Sequence, residues 1–176
     1  MTTNRLTEDL PTAKPLFAAV SRQIARMKIL IIDDEPANVA LLEGILDDNG
    51  FTRVDSVTDS RLSLERIREL QPDLILLDLM MPYVNGHAIL AELRIERSEM
   101  FLPVLVLTAD VNDETKLEAL RAGATDFLLK PFDQVEVLLR ISNLLEARRL
   151  HIQVDTQRAA LEEALRNRVS VGGEIV

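Results

Sequence analysis

Five apolar runs of strand length, each followed by a stretch with helical spacing, constrain this chain more than any other feature. The runs are Lys28–Ile32, Leu74–Leu77, Leu102–Leu107, Phe127–Leu129 and a weaker one, Arg53–Val57. Continuous apolar runs suit strands buried on both faces of a parallel sheet, whereas half-buried strands alternate. Between the runs, helices are predicted from apolar spacing and from stop signals. Pro36 opens the first, Val39, Leu42 and Leu46 line it, and Asn49-Gly50 ends it. Asp59 or Ser60 caps a second through Leu70, closed by Pro72. A third covers Gly86–Arg97, a fourth runs from Asn112 or Asp113 to Ala122 before Gly123, and a fifth starts near Asp133. Strands alternating with helices predict an α/β fold with helices on both faces of a parallel sheet. Right-handed crossovers leave few arrangements. The span suits a flavodoxin-like, doubly wound five-stranded sheet in the order 2-1-3-4-5. There, strands 1 and 3 meet at a switch point, and ligands bind beyond the strands' carboxyl ends.

Composition supports one such body with length left over. The chain has 176 residues, 47% hydrophobic, and a net charge of −9. The charge is uneven. Residues 28–148 carry 12 Lys/Arg against 23 Asp/Glu, a net −11, while residues 1–27 carry four against two and residues 149–176 four against four. Phosphate affinity comes mostly from Lys and Arg, so an acidic chain predicts no direct nucleic-acid partner. With no cysteine there is no disulfide, zinc–thiolate site or thiol nucleophile. No apolar run approaches the roughly 18 residues that cross a bilayer, and no secretory signal is legible. The expectation is a cytoplasmic protein without membrane contact.

The strand ends carry the chemistry. Asp33 and Asp34 follow the first strand, Asp78 ends the third, Thr108 the fourth, and Lys130-Pro131 follows the fifth. On the predicted sheet these share one edge, around the switch point. Three carboxylates gathered there need a cation, and oxygen ligands suit Mg²⁺, with Mn²⁺ as an alternative. A lysine and a hydroxyl converging on the same place describe a site for phosphoryl chemistry. A carboxylate can itself be the nucleophile.

These residues carry a family resemblance. Ile31-Ile32-Asp33-Asp34-Glu35-Pro36, Leu77-Asp78-Leu79-Met80-Met81-Pro82-Tyr83-Val84-Asn85-Gly86, Leu107-Thr108-Ala109 and Ala122–Phe132 occur in order on the expected elements. The segment resembles the receiver (CheY-like) domain of two-component response regulators over about residues 28–148. The resemblance implies that Asp78 is the phosphoacceptor and that Asp34 binds the metal directly. Asp33 would be its partner, often through water, and the Met80 backbone carbonyl a third protein ligand. Lys130 and Thr108 would bind phosphoryl oxygens, and Phe127 would be the switch aromatic, although plain core packing is an open alternative for it. The Lys130–Pro131 peptide would be cis. The implied donor is a sensor histidine kinase, a phosphotransfer protein or a small acyl phosphate. The signal would pass through the face made by helix 4, strand 5 and helix 5. The module would be a phosphoacceptor that promotes its own phosphorylation and dephosphorylation rather than a classical enzyme.

Other polar residues have plainer expectations. Asp110, two past Thr108, either governs water access to the phosphoryl group or is solvated surface. Glu35 is a rim charge, and His87 and His151 are exposed spectators. Two other function classes compete. An aspartyl-phosphate hydrolase usually wants a second aspartate two residues past the nucleophile, and Met80 stands there. A receiver-like dimerisation module that is never phosphorylated would have no use for the intact Asp34, Asp78, Thr108 and Lys130. No Gly-rich loop follows the first strand, which disfavours nucleotide binding.

The flanks divide the chain into an extension over residues 1–27, a receiver over 28–148 and a helical linker over 149–176. No proline interrupts residues 132–176, and Leu150, Val154, Leu161 and Leu165 extend the apolar spacing of the fifth helix to about Arg168. A dimeric coiled coil is expected, although Gln157 interrupts its seam. Such a helix resembles linkers that precede cyclic-dinucleotide output domains. Pro15–Met27 is expected to form a short helix with Leu16, Val20 and Ile24 inward.

Overall fold

The computed structural model describes residues 22–96, 101–109 and 112–171. Its five parallel strands are β1 (Ile29–Ile32), β2 (Val54–Val57), β3 (Leu74–Asp78), β4 (Val104–Thr108) and β5 (Asp126–Leu129), in the order β2-β1-β3-β4-β5. The helices are α1 (Pro36–Asp48), α2 (Ser63–Leu70), α3 (Gly86–Glu96), α4 (Asp113–Ala122) and α5 (Gln134–Val171). This is the expected doubly wound sheet, with the last helix running far beyond it.

Alternate strand residues face opposite cores. Ile29, Ile31, Leu74, Leu76, Leu105, Leu107 and Leu128 pack with α1 and the first half of α5. Leu30, Ile32, Ile75, Leu77, Val104 and Val106 pack with α2, α3 and α4. Both faces of β1, β3 and β4 are therefore covered, which explains their continuous apolar runs. The weaker pattern of β2 has the complementary cause: it is an edge strand, half-buried throughout.

Two local expectations change. Asp59 caps a 3₁₀ turn (Ser60–Leu62), accepting from the Arg61 N–H at 3.0 Å, and α2 proper begins only at Ser63. The tight turn buries Ser60, whose hydroxyl donates to the Pro82 carbonyl and accepts from the Val84 N–H at 3.1 Å. This ties the β2–α2 connection to the loop after β3. Of the expected Pro15–Met27 helix, residues 15–21 lie outside the described residues. The remainder is a 3₁₀ turn, Ile24–Arg26, with Ile24 buried in the α1/α5 core. Arg97, the expected end of α3, and Asp110 also lie outside the described residues.

Candidate functional site: a carboxylate pocket at the carboxyl edge of the sheet

The pocket follows from topology. The ends of β1 and β3 are neighbours, and their next connections diverge to opposite faces of the sheet, leaving a crevice at the carboxyl edge. Asp33 and Asp34 leave β1, and Asp78 ends β3. One carboxylate oxygen from each lies within 4.8 Å of the others. Asp33 is 0% exposed, Asp78 5% and Thr108 2%. Two full charges about 5 Å apart repel by roughly 3 kcal/mol at an effective dielectric of about 20. Three such charges at the mouth of a core persist only with compensation.

Lys130 supplies part of it. Its ammonium donates to Asp33 at 2.8 Å and to Asp78 at 2.7 Å. Burial opposes the charge on Lys130, but hydrogen bonds to Asp33 and Asp78, and their charges, outweigh it and hold the ammonium above the usual lysine range. The backbone aims this side chain. The Lys130 N–H donates to the Thr108 carbonyl at 2.8 Å, so the hydroxyl and the ammonium sit on bonded neighbours of β4 and β5. The following Lys130–Pro131 peptide is cis.

The three carboxylates are not equivalent. Asp33 accepts from the Glu35 N–H at 2.9 Å, from the Asn38 amide at 3.2 Å to each oxygen, and from Lys130. Asp78 accepts once on each oxygen, from the Met80 N–H at 3.0 Å and from Lys130. Asp34, half-buried, accepts from no group among the described residues. With about two lone pairs per oxygen, Asp33 is close to saturated, Asp78 is half open and Asp34 is open. An all-oxygen donor set with open lone pairs on two carboxylates fits a hard divalent cation, whose two charges would balance the three carboxylates and Lys130.

The loop after β3 is held in place around this pocket. Gly86 opens α3 and donates to the Leu79 carbonyl at 3.0 Å. A Cβ there would lie 2.5 Å from the Asp78 carbonyl oxygen and 2.8 Å from the Leu79 Cα, so only glycine lets α3 start against the acceptor turn. Met80 and Tyr83 project outward, and the Arg61 guanidinium lies 4.4 Å above the Tyr83 ring.

The structure thus brings together Asp33, Asp34, Asp78, Lys130 and the buried Thr108. Phe127 is elsewhere: half-buried on β5, it packs on the α2/α3/α4 core with the Lys116 ammonium 5.1 Å and the Arg140 guanidinium 5.8 Å from its ring. Arg140 also pairs with Asp126 and Glu136 at 2.7 Å. Sequence reasoning missed Asn38 and Ser60. Asn38 carried a weak signal, because asparagine is a poor helix former and here it sits in the first turn of α1. Ser60 carried none, since its role depends on a loop 22 residues away. His87, expected to be an exposed spectator, is half-buried and lines a cavity of about 340 Å³ with Leu79, Met80, Thr108, Ala109 and Thr115.

Residues 29–142 match the family described as response regulator receiver domain. The chain is 40% identical over 121 residues to the DNA-binding dual master transcriptional regulator RpaA of Synechocystis sp., covering 67% of this chain and 48% of that protein. It is 35% identical over 116 residues to the DNA-binding response regulator MtrA of Mycolicibacterium smegmatis, covering 66% and 49%. The chain therefore spans about half the length of the curated relatives it matches. Among solved structures, a putative response regulator from Chloroflexus aurantiacus aligns with a TM-score of 0.64 at 30% identity, covering 69% of this chain and 98% of that one. The receiver domain of NtrX from Brucella abortus aligns at 0.62 and 34%, covering 68% and 98%. One expectation is corrected. Acidity alone predicts no direct nucleic-acid partner, yet the relatives sharing this segment are DNA-binding regulators. The net −11 belongs to the body around the pocket, and the charge of one segment does not exclude a partner for a protein twice as long. No helix among the described residues is long and apolar enough to cross a membrane.

Proposed function

Because the chain belongs to the response regulator receiver domain family, we propose that Asp78 accepts a phosphoryl group and that the body relays the change to α5. The observation that carries this reading is the buried Asp78 carboxylate, held by Lys130 at 2.7 Å beside two further carboxylates. Asp34, Asp78 and the Met80 carbonyl would hold Mg²⁺, or Mn²⁺, with Asp33 acting through water. When bound, the ion supplies charge neutralisation to the carboxylates and to the transferring group.

The chain's own groups do the rest. An Asp78 carboxylate oxygen attacks phosphorus in line. A new O–P bond forms, and the bond to the leaving group breaks, its electron pair departing with a kinase histidine or an acyl oxygen. Lys130 exchanges Asp78 for a phosphoryl oxygen, which keeps its ammonium paired as the acceptor gains negative charge. The Thr108 hydroxyl donates to another phosphoryl oxygen. Its movement biases Phe127 and the α4–β5–α5 face between two arrangements. Residues 28–148 form this signalling body, and residues 149–176 the connection to an output. The relatives' names favour an output that acts at DNA. Leu150, Val154, Leu161 and Leu165, all exposed on α5, would seat against a second copy.

The test is incubation with Mg²⁺ and acetyl phosphate, followed by intact mass. One phosphoryl group, labile to hydroxylamine, is expected on the wild type and none on Asp78→Ala. Equal labelling of Asp78→Ala would overturn the acceptor assignment.

A further inference from the structure

Asn38 stands outside the acidic set, yet its contact with that set is specific. It lies in the first turn of α1, half-buried, beside the apolar positions from Val39 onward that anchor the helix to the core. Its amide nitrogen is 3.2 Å from both carboxylate oxygens of Asp33. An atom equidistant from the two oxygens lies on the plane that bisects the carboxylate. A chelating cation must occupy that same plane to bind both oxygens. The remaining directions on Asp33 are taken by the Glu35 N–H at 2.9 Å and by Lys130 at 2.8 Å. Asp34 and Asp78 have no equivalent of Asn38: Asp78 accepts one bond per oxygen and Asp34 none among the described residues.

We propose that Asn38 is a specificity-determining residue of the metal site, which bars Asp33 from chelating the ion and thereby selects a small octahedral cation over a larger one. The inference rests on the metal reading of the pocket given above. Its chemistry is the difference between the two common hard cations. Mg²⁺ demands near-ideal octahedral geometry, keeps several waters and takes few carboxylates, whereas Ca²⁺ takes six to eight oxygens and accepts bidentate carboxylates. With Asn38 in place, Asp33 stays out of the ion's direct shell and acts on it by charge from a distance, leaving room for the waters that Mg²⁺ keeps. Without it, Asp33 becomes a bidentate ligand adjoining two further carboxylates, a donor set that suits Ca²⁺. Asn38 itself touches neither the ion nor the transferring group, so it acts through Asp33 as a positioning residue.

The experiment is calorimetric titration of the full chain with Mg²⁺ and, separately, Ca²⁺, for the wild type, Asn38→Ala, Asn38→Gln and Asp34→Ala. Metal-free thermal melts accompany each. In Asn38→Ala the preference for Mg²⁺ over Ca²⁺ is expected to narrow about tenfold, the size expected when a group supporting a metal ligand is removed. The metal-free melt should fall modestly, since the buried Asp33 carboxylate loses a donor and the better helix propensity of alanine offsets only part of that loss. Asn38→Gln keeps the donor and should retain a preference nearer to the wild type. A Mg²⁺ to Ca²⁺ ratio unchanged in Asn38→Ala, with Asp34→Ala losing both ions, would overturn the inference and leave the metal reading standing. Equal weakening of both ions together with a lowered melt in Asn38→Ala and Asn38→Gln would reduce Asn38 to a structural role and also overturn it. Failure of the wild type to bind either ion would bring down the metal reading and this inference together.

Discussion

The carboxylate pocket and the outer half of α5 depart from the globular pattern in opposite directions. The pocket buries charge: Asp33, Asp78 and the ammonium of Lys130 sit where a core would be apolar. The outer half of α5 exposes apolar groups: residues 152–167 are all exposed, and among them Leu161 is 62% accessible, while Ile141 on the same helix is 0%. The first departure costs folding stability, because buried charges give up water, whereas the second does not, because the unfolded chain exposes the same apolar groups. A cluster of buried like charges fits a small ion and an oxyanion. The row of exposed apolar side chains on α5 is the surface on which the proposed seating against a second copy rests. The boundary between the two regimes is itself built: the buried Arg148 donates to the Phe101 carbonyl at 2.7 Å and lies 3.8 Å from Asp73, and the half-buried His151 ring sits 5.4 Å from that of Phe101.

The largest effect expected of a charge substitution tests the pocket side. Lys130→Met leaves Asp33 and Asp78 facing each other without their cation, and is expected to lower metal-free stability by about 3 kcal/mol in urea unfolding. The pH dependence has a defined sign. The folded-state pKa of Lys130 is raised, so its contribution is complete below the unfolded-state value and is lost as pH rises through the folded-state value. Wild type and Lys130→Met should therefore converge only in strongly alkaline buffer, beyond the ordinary lysine range. A stability gap that instead closes between pH 6 and 8 would show that Lys130 is not the compensating charge.

Metal should relieve the same strain. Addition of Mg²⁺ at ten times its Kd is expected to stabilise the wild type by about 1.4 kcal/mol, and to leave Asp34→Ala unaffected. Asp34→Asn, with one fewer carboxylate, should be more stable than the wild type without metal, by several tenths of a kcal/mol, because like-charge repulsion falls. A loss of metal-free stability in Asp34→Asn would mean that the carboxylates are already balanced.

The smallest effect on the isolated body belongs to the helix side. Leu161→Ala should change unfolding free energy by less than about 0.5 kcal/mol in dilute protein, since the side chain is 62% exposed among the described residues. Its effect should appear in sedimentation, as weaker self-association at high concentration. Ile141→Ala, on the packed half of the same helix, is expected to cost about 2–5 kcal/mol. Similar losses at both positions would erase the distinction between the two halves.

Much of this molecule was legible before its structure. The runs around Ile31, Leu76, Val106 and Leu128 announced a parallel sheet, because only strands covered on both faces can be continuously apolar. The residues at their ends announced the pocket, because the order 2-1-3-4-5 places β1 and β3 side by side. What was not legible depended on contacts between distant loops. Ser60 reads as a helix cap, and only the Pro82 carbonyl makes it a pin for the loop after β3. Asn38 reads as an indifferent helix residue until Asp33 is seen against it. The tight turn before α2 likewise follows from what Ser60 touches rather than from local propensity.

The sequence by itself determined the fold class, the strand order and the set of groups at the carboxyl edge, since periodicity and chain direction act locally and accumulate. It also determined that the apolar spacing of α5 continues beyond the body. Tertiary structure alone decided how unequal the three carboxylates are. Hydrogen-bond saturation of Asp33, half saturation of Asp78 and the openness of Asp34 are matters of angstroms and lone pairs, and a one-dimensional pattern records neither.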